Sequence, residues 1–392
     1  MILTNKIMKN NFSSTLILAL LFCAVGTVKA AEDNGAVGNQ TNENTQNLGV
    51  MKFTKVNPEE SRPIYMTFTP TPKRNVNVFL EGDIVKWDDI PDYANQLNMQ
   101  IWGEGTFCIK SNVEVFDFRQ CYCITDIDLT GNKHLKKVTI GIVGCNELKF
   151  PETVEQIMVV KTYMKKVVIP ANNSLQKVEF YSNKDFETID MGKSENLTYL
   201  DVSYCPKLMK ADFLECKKLR LVDLTKCPGL NPTLNVTDMP DLEEIYLGLC
   251  GLKNLDLSRC PNLKVVSVYG NELQDEALDH FIASLPSFAE NVASDHVIIL
   301  KTELSPDKFK CTSAQLNAIR AKGWSPMKLI RGDNGKPKRV PFKDEDTITG
   351  IAGIDAHENI QDVWFDISGR RIKKPVASGV YIHNGKKVMI AK

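Results

Sequence analysis

Net charge is what this chain most clearly lacks. Its 48 Lys and Arg residues are balanced by 48 Asp and Glu. Without a surplus or a block of basic residues there is little to neutralise a phosphate backbone, so a nucleic-acid partner is not expected. Histidine is also sparse. His134, His280, His296, His357 and His383 lie in separate segments, with no H-x-x-x-H pair and no Cys/His spacing of the zinc type. A metal centre or other cofactor is therefore not expected. The chain has no G-x-S-x-G elbow, P-loop or dinucleotide fingerprint, and Gly141 in GIVGC reads only as a strand exit. We accordingly expect no enzymatic activity. After the first thirty residues no uninterrupted apolar run reaches about 18 residues, so no transmembrane helix is expected either.

The first apolar run is of a different kind. Lys6 and Lys9 precede an apolar stretch from Leu16 to Val25, and Val28-Lys29-Ala30 offers a small-residue cleavage site. Residues 1–30 read as a signal peptide, implying export. Phe22 before Cys23 does not suit a lipoprotein site, which favours cleavage near Ala30. Residues 31–49, rich in Asn, Gln, Glu, Gly and Thr, read as a flexible linker. Short alternating runs then fill residues 50–112, among them IYMTFTP and VNVFLEG, and predict a small β-rich N-terminal cap.

From Val113 to Leu273 the chain repeats itself with a period of about 22 residues. The anchors Leu175, Leu197, Leu219, Leu242 and Leu263 each open a run of the form L-x-x-φ-x-φ, where φ is apolar: LQKVEF, LTYLDV, LRLVDL, LEEIYL and LKVVSV. VEVFDF, LKKVTI and VEQIMV fit the frame upstream with looser spacing, giving roughly eight coils. One such run cannot bury its apolar face alone, so neighbouring coils must stack. The predicted fold is a β-dominated α/β solenoid, right-handed and of the leucine-rich-repeat kind, with the β-rich cap before it and a small all-β tail after it.

Two other registers run through the repeat. Cys205, Cys216, Cys227, Cys250 and Cys260 fall near 11- or 22-residue intervals, where a small semi-buried side chain stacks on its counterpart in the next coil. Eleven cysteines in an exported chain also admit disulfides, with Cys121 and Cys123 near Cys108 as the place for one. Asp128, Asp190, Asp212, Asn235 and Asp256 stand seven residues before an anchor and mark the return side of each coil. Their oxygens suit turn amides better than catalysis. The coil over 154–174 breaks this register at Val168 and Pro170, which predicts an irregular return side there.

Past the repeat, LQDEALDHFIASLPS has helical spacing and DHVIILK reads as a strand. TSAQLNAIRAKGW reads as a helix capped at Thr312 or Ser313 and ended at Gly323. Residues 274–330 thus form a C-terminal cap, 331–347 read as a polar linker, and 348–392 form the short-stranded tail.

The repeat frame resembles bacterial leucine-rich repeats of the internalin-like surface-protein type, most closely over LKNLDLSRCPNLKVVSVYGNEL, and NAIRAKGW resembles their end cap. The likeness covers roughly Val113 to Trp324. The tail resembles the sorting domain of the type IX secretion system, with Asp366, Gly369, Arg370, Gly379, Tyr381, Gly385, Lys386 and Lys387 matching in order. That second resemblance implies display on, or release from, a Gram-negative cell through the secretion machinery.

In each L-x-x-φ-x-φ strand the φ side chains face the core and the intervening ones face out. The central outward column reads Asp117, Thr139, Met158, Glu179, Asp201, Asp223, Tyr246 and Ser267, flanked by Tyr181 and Tyr269 on one side and Tyr199 on the other. Asp117, Glu179, Tyr181, Tyr199, Asp201, Asp223, Tyr246 and Tyr269 are therefore the candidate ligand-binding residues, since tyrosine combines a rigid apolar body with a polar tip. A plain solvated sheet face is the alternative. The resemblance implies a host or neighbouring-cell protein or glycan as partner, against a structural role in the cell envelope.

Overall fold

The computed structural model describes residues 49–55, 66–70, 77–81, 86–91, 97–102, 105–121, 124–230, 234, 236, 238–288, 296–348, 364–366, 371–373, 375, 378–383 and 386–390. The expected signal peptide lies outside them, as does nearly all of the linker after it.

The anchors do what their spacing requires. Parallel strands Lys137–Val143, Gln156–Val160, Lys177–Glu179, Tyr199–Asp201, Leu221–Asp223, Glu244–Tyr246 and Val265–Ser267 pair in one sheet, building a β-solenoid of about seven turns. The rungs follow the repeat: Val138, Ile157, Val178, Leu200, Val222, Ile245 and Val266 lie side by side, each almost wholly buried. The anchors Leu135, Leu175, Leu197, Leu219, Leu242 and Leu263 are 0% exposed. Truncating one such side chain to Ala typically costs about 2–5 kcal/mol.

Each coil turns in the same way after its strand. Ile142, Lys161, Ser182, Tyr204, Lys226, Leu249 and Gly270 all have φ between 55° and 67°, and only the last is glycine. The left-handed residue hands its amide to the next coil, as from Ser182 to the Ser203 carbonyl (2.9 Å) and from Tyr204 to that of Thr225 (2.7 Å). The following position points inward and is filled in turn by Val143, Thr162, Asn183, Cys205, Cys227, Cys250 and Asn271, all buried. Cys205, Cys227 and Cys250 donate their thiols to the carbonyls of Phe180, Val202 and Leu224 at 3.1, 3.1 and 3.0 Å. Asn271 goes further, accepting from the Cys250 and Leu252 amides and donating to the Leu247 and Val268 carbonyls. The same slot thus takes Cys or Asn because both satisfy main-chain groups inside the core.

A second inward stack precedes the anchors. Asn132, Asn172, Ser194, Cys216, Met239 and Cys260 occupy it, all buried. Burial pushes the Cys216 and Cys260 thiols up to about 11 and the Cys205 and Cys250 thiols up to about 12, so none is a ready thiolate. The ladder cysteines are therefore buried thiols on two stacks. Cys108 is buried in the strand Gly105–Lys110, while Cys123 and the Cys121 side chain lie outside the described residues.

On the return side three of the aspartates serve as turn acceptors. Asp128, Asp190 and Asp256 each accept the amide two residues on, from Thr130, Gly192 and Ser258, at 2.8 to 3.0 Å. Asn235 is outside the described residues. The irregularity expected over 154–174 does not occur: Lys166–Val168 pairs in parallel with Thr188–Asp190, which pairs with Lys210–Asp212. Val168 keeps the register by standing 64% exposed, so backbone pairing rather than an acidic side chain holds this coil.

At the N-terminal end, strands Met66–Pro70, Leu97–Trp102 and Lys86–Pro91 extend the long sheet beyond Val113–Cys121 in antiparallel fashion. Strand Val50–Lys55 pairs with both Gly105–Lys110 and Ile124–Gly131 in a second, five-stranded sheet. Phe53, Phe107, Phe116 and Phe118 fill this end of the core.

At the other end, helix α1 (Asp275–Ser284) buries Leu278, Phe281 and Ile282. Helix α2 (Ser313–Ala321) starts from a capping box between Thr312 and Gln315 and stops before Gly323, whose φ is +84°. Between them Val297–Thr302 continues the sheet in parallel. Residues 331–347 are not the linker expected from their composition. Ser325–Arg331 turns back through Gly335 into the antiparallel strand Pro337–Pro341, and Asp344–Asp346 forms a 3₁₀ turn held by Lys328 on Asp346 (2.7 Å) and Arg320 on Asp344 (2.7 Å). Pro337 and Pro341 sit on an edge strand, where a missing amide is tolerated. In the tail, Arg371–Ile372, Trp364–Phe365, Gly379–His383 and Lys386–Ile390 form an antiparallel sheet, with Trp364 stacked on His383 at 4.0 Å.

Candidate binding face

The outward column forms as its phase predicts. Asp117 pairs in register with Thr139, and the row then runs through Met158, Glu179, Asp201, Asp223, Tyr246 and Ser267. Its members are not equivalent. Thr139 and Ser267 are 4% and 1% exposed, so the row is closed at both points. Asp117 stands three rungs from Glu179, and Arg119 grips its carboxylate with two bonds of 2.8 Å. It belongs to the N-terminal end of the face and not to the group around Asp201.

That group is dense. Glu179, Asp201 and Asp223 occupy consecutive rungs, so like charges lie directly opposite one another at the spacing of adjacent strands, about 4.8 Å. Burial, and then the Asp201 carboxylate, push Asp223 up to about 7, and burial also raises Asp201. Both also accept main-chain amides: Ser203 donates to Asp201 Oδ1 and Thr225 to Asp223 Oδ1, each at 2.8 Å. The concave carboxylates are therefore turn acceptors as well as surface charges, as the return-side aspartates are.

Tyrosines close around them. Tyr199, on the rung of Asp201 but two residues earlier, is raised by burial and by the carboxylates of Asp201, Glu179 and Asp223. Tyr269 lies across Gly248, where a Cβ would come within 2.5 Å of the ring; glycine is needed here for close approach. Burial raises Tyr269, with Tyr204 and Asp223 adding to it. Tyr246 donates its hydroxyl to Glu244 Oε2 at 2.6 Å, and burial together with the Glu244 carboxylate raises it. Tyr181 lies half-buried two residues beyond Glu179 on the same strand edge as Tyr269.

Sequence phasing missed Tyr204, Lys177, Lys226 and Glu244. Tyr204 sits at the left-handed turn position, 45% exposed, with Lys226 Nζ 4.4 Å from its ring centroid. Lys177 Nζ lies 4.6 Å from the Tyr199 ring and 3.0 Å from Glu179 Oε2. Lys177 and Glu244 stand on the same outward phase and were available from the alternation. A separate depression of about 380 Å³ at the strand starts is lined by Arg220, Asp241, Glu243, Asn262, Lys264 and His296. Glu243 pairs there with both Arg220 and Lys264, which satisfies its charges internally.

The arrangement is a half-buried acidic and aromatic surface with lysines of the chain itself against two of its tyrosines. Among the described residues no group of acidic, His and Cys side chains is placed to hold a metal ion, and no helix is long and apolar enough to cross a membrane. No family model matches the chain, and no curated protein does. Among solved structures it is similar to one described as the functional domain of InlJ from Listeria monocytogenes, which includes a cysteine ladder. The identity is 17%, the TM-score 0.26, and the match covers 56% of this chain and 58% of that one.

Proposed function

We propose that this is an exported repeat protein that binds a protein or glycan partner through the concave face, with Glu179, Tyr181, Tyr199, Asp201, Asp223, Tyr246 and Tyr269 at the centre of contact and Asp117 at its N-terminal margin. The observation that carries the reading is the gathering of acidic groups and tyrosines on successive rungs of one sheet face, half-buried before any partner arrives. Such a surface is rigid, and little side-chain entropy remains to be lost on contact. The N-terminal charge and apolar run support export, and the matches at Asp366, Gly379, Tyr381 and Lys387 support passage through a type IX machinery to the surface of a Gram-negative cell. Gly369, Arg370 and Gly385 of that motif lie outside the described residues, as does the Lys386 side chain.

The face is tested with E179Q/D201N/D223N. Asn at 201 and 223 retains an oxygen for the Ser203 and Thr225 amides, so the turns persist while the charge goes. On an array of glycans and cell-surface proteins the mature chain should bind and this variant should lose at least tenfold in affinity. Equal binding would place the contact elsewhere. Deleting residues 348–392 tests the tail: the truncated protein should accumulate in the periplasm, and its normal arrival at the surface would remove the sorting role.

A further inference from the structure

The hairpin that ends the long sheet has a built tip. Ser325–Arg331 pairs antiparallel with Pro337–Pro341, the outermost strand at this end, and the register closes with Arg331 opposite Pro337. Beyond that pair the Gly332 amide donates to the Lys336 carbonyl and the Gly335 amide to the Gly332 carbonyl, both at 2.8 Å, while Asn334 Oδ1 accepts the Lys336 amide at 3.0 Å. Gly335, at φ 74°, supplies the left-handed position that closes such a loop. The tip therefore presents Arg331-Gly332-Asp333, with Arg331 ending the strand, Asp333 opening the turn, and both exposed.

These two charges are close in the chain and do not meet. Elsewhere the same separation closes on itself: Asp117 with Arg119, Glu147 with Lys149, Lys177 with Glu179 and Lys210 with Asp212 form ion pairs along their strands. In those pairs both residues stand on one face of a strand, as alternate residues do. Gly332 lies where strand becomes turn, so Asp333 leaves the face that Arg331 keeps. Among the described residues neither Arg331 nor Asp333 takes part in an ion pair or a side-chain hydrogen bond.

We propose that this tip is a second binding site, for an animal-cell surface receptor that offers a carboxylate to Arg331 and an incompletely coordinated divalent cation to Asp333. It lies outside the concave face and does not rest on that reading. The guanidinium fork matches a carboxylate with two parallel hydrogen bonds. An aspartate oxygen is a hard ligand that completes the shell of such a cation. A partner offering only a lysine to Asp333 would form an exposed ion pair, which contributes little; the metal is what makes a contact this small hold. Arg-Gly-Asp on an exposed turn is the general signal that metal-bearing adhesion receptors of animal cells read, and the closed loop presents it with little left to order on binding.

The probe is animal-cell receptor purified on immobilised Gly-Arg-Gly-Asp-Ser and eluted with EDTA, then passed over the immobilised mature chain in Mg²⁺ and read by surface plasmon resonance. D333E keeps the charge but moves the carboxylate by a methylene, and should bind about tenfold more weakly. R331K keeps the charge but loses the fork, and should bind about fivefold more weakly. K338S removes an exposed cation from the same hairpin and should bind as the unmodified chain does. Free Gly-Arg-Gly-Asp-Ser and EDTA should each abolish the signal, and neither depends on a variant folding correctly. No binding by the unmodified chain, equal binding by D333E, an equal loss in K338S, or a signal that survives EDTA would each overturn the site. E179Q/D201N/D223N should bind the receptor normally, whatever becomes of the concave-face reading. Loss in that triple variant with D333E unaffected would move the contact to the concave face and defeat the tip alone.

Discussion

A left-handed backbone at a β-branched or long side chain is costly, and five of the seven coil turns carry one. Lys161 is the cleanest test, since its side chain is exposed. Lys161→Gly removes the Cβ conflict at φ 55° and gives back part of the gain through a more flexible unfolded chain. A net stabilisation of about 0.5–1 kcal/mol is expected, read as a raised midpoint in denaturant; an unchanged or lowered midpoint would contradict it. Asp223 gives the second prediction at this scale. With its folded-state pKa pushed up to about 7, against an ordinary aspartate value near 3.9, the folded chain holds this proton more tightly than the unfolded one. Its contribution is fully present below about pH 4 and is lost as pH rises through 7. D223N keeps the acceptor for Thr225 and deletes the titration. It should be more stable than the unmodified protein at pH 8, by on the order of 1–3 kcal/mol, and the advantage should vanish near pH 4. Thermal melts across that range check the sign, and parallel pH profiles would show that Asp223 ionises normally.

At the scale of elements, one carboxylate ties the last coil to the cap. Asp307 Oδ2 accepts the amides of Gly270 and Thr302 at 3.0 and 2.8 Å, and Oδ1 accepts that of Phe309 at 2.9 Å. Asp307→Ala would strand three amides, at about 1–3 kcal/mol for each that water cannot reach, so a loss of about 3 kcal/mol and faster exchange at Gly270 and Thr302 are expected. Retained stability would mean that another acceptor replaces Asp307. This tie was not legible beforehand, because nothing in a lone aspartate says which distant amides it will meet. The strands were legible, because L-x-x-φ-x-φ fixes both phase and spacing, and the outward column followed from the same alternation. Two errors have a common cause. Residues 331–347 read as a linker and the 154–174 return as irregular because composition was weighed at each site, whereas pairing to a neighbouring strand decided the outcome at both. Within the candidate face, phase found the carboxylates and tyrosines but not that Asp201 and Asp223 hold turns, nor that Lys177 and Lys226 lie over tyrosine rings.

For the whole molecule, the stacked thiols make a reporter of how the solenoid opens. Each coil contacts mainly its neighbours, so stability is shared along the axis and a weakened coil opens together with those beside it. Cys205, Cys216, Cys227, Cys250 and Cys260 are all 0% exposed, and burial raises every one of these thiols, so alkylation in the native state must wait for opening. Leu219 sits in the core between Cys216 and Cys227, and Leu219→Ala should cost about 2–5 kcal/mol. If the cost is felt in sub-global opening, alkylation of Cys216 and Cys227 should accelerate by about two orders of magnitude, with Cys205 and Cys250 less affected and Cys311, in the C-terminal cap, least. Pulsed alkylation followed by peptide mass spectrometry resolves each site. Rapid labelling of these residues in the unmodified protein would contradict their burial. Uniform acceleration at all five ladder thiols and at Cys311 would show instead that the solenoid and its cap unfold as one cooperative unit.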